Sequence, residues 1–195
     1  SVVSLVLERR DARVGAREAR QADLAKLRKL EKEQEKIEEM LRKRALAALR
    51  RARARSQAGA SGPATGVLMH PTDGYVTSPF GYRTHPIYHY WGLHDGVDFG
   101  AACGTPMYAA ADGQVVERYY QSAWGNRLII DNGYMRGAGV STIYNHATRY
   151  VVNVGDRVRR GQLVGYVGTT GWSTGCHLHF TVYRNGSPTN PMNYF

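Results

Sequence analysis

The chain has 195 residues and a formal net charge of +10, enough length for one domain with a full core plus an extension. Residues 1–60 hold 17 Lys/Arg against 9 Asp/Glu, whereas residues 61–195 hold 9 against 7 together with all 13 Tyr, 3 Trp and 4 Phe, so a basic front is joined to a near-neutral, aromatic rear. No run of 18 apolar residues is present, which excludes a helix that crosses a membrane.

The apolar stretch Val2 to Leu7 is too short to span, and no cleavage site follows it, so it reads neither as an anchor nor as a signal peptide. From about residue 8 to residue 55 the composition is that of a helix: Ala, Leu, Glu, Lys and Arg dominate, Pro is absent and Gly15 is the one glycine. Leu27, Leu30, Gln34, Ile37, Leu41, Arg44 and Ala48 recur at alternating steps of three and four. That is a heptad seam with two polar members, which predicts weakly specified coiled-coil pairing, with self-association or a partner helix through residues 24–49. The Glu and Lys residues around it make a solvated, salt-laced face. The simplest reading of residues 1–55 is a basic helical stalk without chemistry of its own. Nucleic acid is not expected, because no recognition motif accompanies the charge and Glu is interspersed throughout; an anionic wall polymer or membrane surface suits such a helix better.

Residues 56–66 read as a Gly/Ser/Pro/Ala linker. Beyond it the hydrophobic period falls to two, in short runs at Val115-Val116, Arg127 to Ile130, Thr142 to Tyr144, Leu163 to Val167 and Leu178 to Tyr183. Turn signals punctuate them at Asp112-Gly113, Asn132-Gly133, Gly155-Asp156, Gly161 and Asn185-Gly186. Residues 67–195 are therefore expected to form an all-β, loop-rich domain. Its two cysteines, Cys103 and Cys176, are too few for a disulfide scaffold. One bridge would suit an extracytoplasmic protein, and two small buried thiols are the alternative.

All seven histidines lie at or after His70. His70, His85 and His89 sit in a Pro- and Tyr-rich region and read as packed or surface side chains. The other four sit in HDGVD (His94, Asp98), YNHA (His146) and HLH (His177, His179). On a strand, positions i and i+2 share a face about 7 Å apart, so one histidine of the HLH pair can ligate a metal while the other stands beside its water. Spacing does not say which. Gly96 lets the chain turn between His94 and Asp98. Two imidazoles and one carboxylate are the three-ligand set of catalytic zinc with a fourth position for water, and a neutral histidine nearby can take that water's proton. A carrier domain is excluded, because VNVGDRVRRGQLVGYVG has the rhythm of biotinyl modules but the last lysine of the chain is Lys43.

SPFGYR (Ser78 to Arg83), HDGVDFG (His94 to Gly100), GTPMYAAADG (Gly104 to Gly113), YNHA (Tyr144 to Ala147) and GWSTGCHLHF (Gly171 to Phe180) together resemble the lysostaphin-type, LytM-like zinc endopeptidases of peptidoglycan. The resemblance covers about residues 67–195. It implies an antiparallel β fold with an open groove, one Zn2+ on His94, Asp98 and His179, and His146 with His177 as the catalytic pair. It also implies peptidoglycan as substrate, action in the cell wall or secreted space, and oxyanion support from Tyr88 or Tyr90. An alternative within the resemblance is a silent activator of other wall hydrolases, a role that goes with lost ligands. Thr181 stands where the family commonly has Glu, and Cys176 where it often has Pro. If both ligand segments meet at one metal, Cys103 and Cys176 could approach closely enough to bridge.

Overall fold

A computed structural model describes residues 2–58, 67–84 and 91–195. Helix α1 runs from Val2 to Gln57. The β strands, in chain order, are β1 (Tyr75–Ser78), β2 (Gly81–Thr84), β3 (Trp91–His94), β4 (Val97–Gly100), β5 (Pro106–Tyr108), β6 (Gly113–Gln121), β7 (Gly125–Met135), β8 (Ala138–Ala147), β9 (Arg149–Tyr150), β10 (Arg157–Val158), β11 (Leu163–Tyr166), β12 (His177–Arg184) and β13 (Ser187–Thr189). The chain divides into two compact units, the first ending at Glu38 and the second running from Glu39 to Phe195. The first unit is helix alone. No described helix is long and apolar enough to cross a membrane.

In the second unit an antiparallel sheet has the order β1-β4-β12-β8-β7-β6-β10, with β13 paired to β12. Its period-two strands divide cleanly. Leu128 and Ile130 of β7, Val140 and Tyr144 of β8, and Leu178, Phe180 and Val182 of β12 join one core, together with Met107 and Val164 from the small sheet β5-β11-β9. The alternate residues, among them Arg127, Ile129, Ser141, Ile143, Asn145, His179, Thr181 and Tyr183, point to the other face. Tyr144 anchors β8 in the core: its hydroxyl accepts from Ala110 N at 2.8 Å and donates to Tyr108 O at 3.1 Å.

The end of α1 lies on that other face. Leu41, Ala45 and Ala48 are its buried residues, and Arg44 pairs with Asp131 at 3.4 Å. Positions 41, 44 and 48 of the heptad seam thus meet the chain's own sheet. Gly139 makes the contact possible, because a Cβ there would stand 2.4 Å from the backbone of Ala45. Gly139→Ala should cost about 1–3 kcal/mol through overpacking. A urea titration, with limited proteolysis around Arg50 to Arg55, checks whether the helix end loosens.

One turn expectation needs correction. Asn132-Gly133 does not end a strand; it lies inside β7 at an irregularity in the β7–β8 register. Asp131 Oδ1 accepts from Gly133 N at 3.0 Å, and Thr142 Oγ1 donates to Asn132 Oδ1 at 2.9 Å, so the dipeptide is held as a bulge. The hairpin turns instead at Arg136-Gly137, where both residues take positive φ, 47° and 80°, as a two-residue I′-type loop requires. Asn185-Gly186 turns as expected, with φ of 54° and 84°.

Candidate metal centre

Strand register brings the first two polar side chains together. β12 pairs antiparallel with β4 so that His179 stands opposite Asp98, and His179 Nδ1 lies 2.8 Å from Asp98 Oδ1. His94 comes from elsewhere, the end of the β2–β3 hairpin, where it pairs with Gly81. Its Nδ1–H donates to the Pro79 carbonyl at 2.7 Å. A carbonyl only accepts, so the lone pair of His94 is on Nε2, which faces the site. That Nε2 is 3.2 Å from Asp98 Oδ1 and 3.1 Å from His179 Nδ1.

The chain bends at Gly96, between β3 and β4, and the need for glycine there comes from packing. It is not among the glycines of positive φ. A Cβ at Gly96 would meet Phe180 O at 2.5 Å and His179 Nε2 at 2.8 Å, so glycine is required for close approach to β12.

The electrostatics suit a cation. Burial opposes charge on the His179 imidazole, but the carboxylates of Asp95 and Asp98 outweigh it and raise His179 to about 9. Burial likewise opposes the carboxylate of Asp98, and its bonds to His179 and His94 win, holding it well below the usual range. Two imidazole nitrogens and one carboxylate oxygen, 2.8–3.2 Å apart, fit one ion. Zinc at bonds of about 2.0–2.1 Å would set tetrahedral neighbours about 3.3 Å apart.

Two further imidazoles flank this trio. His146 is buried at the end of β8 in a left-handed conformation, φ 62°, which costs of order 1–3 kcal/mol for such a residue and is often found at functional sites. Its Nδ1–H donates to Thr170 O at 2.7 Å. Burial first, and the neighbouring His179 second, push His146 down to about 3, so the ring is neutral. His177 Nδ1–H donates to Gly175 O at 2.9 Å, and its Nε2 is 3.8 Å from Asp98 Oδ1. The two rings lie 4.8 Å apart between centroids. In both, the bond at Nδ1 leaves Nε2 as the basic nitrogen. Trp124 walls the site, 5.2 Å from His179 and 6.5 Å from His146.

Cys103 and Cys176 are joined by a disulfide, with Cα atoms 5.2 Å apart. It ties the loop after β4, which carries Asp98, to the loop before β12, which carries His177 and His179. Closing a loop across a sequence separation of 73 predicts, on the chain-entropy account, that Cys103→Ser with Cys176→Ser lowers stability by about 4 kcal/mol. Guanidinium unfolding of the oxidised chain against the double variant measures it. Tyr88 and Tyr90 lie outside the described residues. His70 is apart from the trio, stacked on Phe195 at 4.3 Å.

Residues 92–191 match peptidase family M23. The chain belongs to this family. Among curated M23 relatives, it is 44% identical over 117 residues to the DD-carboxypeptidase/endopeptidase Mpg of Neisseria meningitidis, covering 60% of this chain and 26% of that protein. It thus spans about a quarter of that relative's length. Among solved M23 structures, a zinc containing peptidase from Vibrio cholerae aligns with TM-score 0.58 and 34% identity, over 63% of this chain and 38% of the other. The catalytic domain of lysostaphin from Staphylococcus simulans aligns with TM-score 0.55 and 31% identity, over 63% of this chain and 92% of that domain.

Proposed function

We propose that this M23 chain is a zinc-dependent endopeptidase that hydrolyses peptide cross-links or stem peptides of bacterial peptidoglycan. One observation carries the reading: His94 Nε2, Asp98 Oδ1 and His179 Nδ1 meet within 2.8–3.2 Å, beside the paired rings of His146 and His177. The names of similar proteins support the substrate, since Mpg is called a DD-carboxypeptidase/endopeptidase and ShyA of Vibrio cholerae a peptidoglycan DD-endopeptidase.

A zinc ion on that trio would polarise a scissile carbonyl and acidify a neighbouring water toward pKa about 7. The residues of the chain do the rest. One ring of the His146–His177 pair accepts the water's proton at Nε2 while the other holds the water, because Nδ1 of each ring is committed to a backbone carbonyl. The same Nε2–H then protonates the leaving amine, so the ring that took the proton returns to its starting tautomer. Burial of His146 keeps it unprotonated before the reaction. Trp124 packs beside the His179 ring, 5.2 Å between centroids.

On this reading the enzyme works outside the cytoplasm, with residues 67–195 as the catalytic domain, residues 56–66 as linker and residues 1–55 as a basic stalk that holds it at an anionic surface. Mass spectrometry of defined cross-linked muropeptides, incubated with the chain with and without chelator, tests the proposal. Cleavage that zinc restores after chelation is the expected result. Intact substrate across both the glycine-bridged and the D-alanine-linked series overturns it.

A further inference from the structure

One of the four site histidines spends its outward nitrogen differently from the rest. His94, His146 and His177 give theirs to backbone carbonyls. His179 gives its Nε2 to a side chain: Asp95 Oδ1 at 3.0 Å, with Thr181 Oγ1 on the same nitrogen at 3.1 Å. Asp95 is the second residue of HDGVD, a position that sequence reading passes over because an aspartate beside a glycine reads as a turn residue.

We propose that Asp95 is a positioning residue that fixes His179 as an Nδ1 ligand. The proposal rests on the metal reading of the trio. With an ion on the trio, His179 Nδ1 gives its lone pair to the metal and the ring keeps one proton; a carboxylate can only accept, so Asp95 holds that proton on Nε2. Thr181 cannot make this choice, since a hydroxyl donates as readily as it accepts. Thr181 therefore fills the contact, and Asp95 sets the tautomer.

The surroundings hold Asp95 to this task. Gly96 lets the backbone beside it press against the His179 ring, where any Cβ would stand 2.8 Å from Nε2. Arg127, 1% exposed on β7, is a buried cation on the same face of the sheet as His179. The Arg127 guanidinium stacks 5.2 Å over Trp124, whose ring lies 5.2 Å from His179. A buried cation, an indole and a carboxylate thus surround the outer side of one ligand. This arrangement also explains why Thr181 is tolerated next to the metal-facing residue of β12: the carboxylate comes from the β3–β4 turn instead.

The test reads metal affinity and proton location as well as turnover. Zinc Kd is measured by competition with a chromophoric chelator on the full chain, for wild type, Asp95→Asn and Thr181→Val. Asp95→Asn should weaken zinc by about 10- to 100-fold, and Thr181→Val should change it by less than about threefold, the smaller effect expected of a hydroxyl that does not choose the tautomer. In the zinc-loaded wild type, nitrogen-resolved NMR should show a slowly exchanging, downfield His179 Nε2 proton, which Thr181→Val leaves in place. A zinc Kd for folded Asp95→Asn within twofold of wild type overturns the proposal, as does the lack of that proton signal in wild type. Failure of wild type to bind zinc at all defeats the metal reading instead, and the two failures are told apart in the same titration.

Discussion

Asp98→Ala is expected to give a folded chain that retains no zinc and loses turnover by about 10³-fold or more, since several kcal/mol of transition-state stabilisation depend on the metal and each 1.36 kcal/mol is tenfold. Asp98 Oδ1 is the one oxygen of the trio and touches both other ligand atoms, at 2.8 Å and 3.2 Å. Without it two imidazole lone pairs face each other 3.1 Å apart with no negative charge between them. The site then lacks both a ligand and the charge that draws a cation in. The fold should survive, because the backbone of β4 keeps its ladder to β12 and its disulfide tie through Cys103. Elemental analysis after gel filtration, with circular dichroism on the same sample, checks both halves. Stoichiometric zinc in the variant would remove Asp98 from the ligand set.

How much of this could be read from residues alone follows from the range of each interaction. HLH on a strand was legible because the period of two is local: His177 and His179 share a face with Thr181, while Leu178 and Phe180 enter the core. The meeting of His94 with Asp98 was legible in outcome and not in cause. The pair sits on strands of two different sheets, and Gly96 serves packing against His179, a residue 83 positions away in sequence. The Asp98–His179 register is a property of the β4–β12 ladder, which no local pattern encodes. Asp95 and Arg127 escaped for the same reason. An aspartate beside a glycine reads as a turn residue, and an arginine in Arg127 to Ile130 reads as the polar member of an alternating strand. Only the fold makes that arginine 1% exposed. In the helix, the spacing of Leu41, Arg44 and Ala48 predicts a face for another helix. A seam of small and apolar residues is equally suited to a sheet with a glycine at the crossing, and Gly139 supplies it.

His177→Ala and His146→Ala are each expected to keep zinc and lower kcat by about 10²- to 10⁴-fold, the usual weight of a positioned proton-transfer group. Neither ring belongs to the trio. His177 Nε2 stops 3.8 Å from Asp98 Oδ1, and His146 is linked to the site through ring contacts with His177 and His179. Their removal therefore leaves the ligand geometry standing. If one ring takes the proton and the other steadies the attacking water, the two act as a unit, and the double variant should lose little more than the worse single variant. Additive losses would instead make them independent groups acting on separate steps. Burst kinetics on a muropeptide substrate, with zinc content measured in each variant, decides between these outcomes. Wild-type turnover in either single variant would strip that histidine of its place in the chemistry.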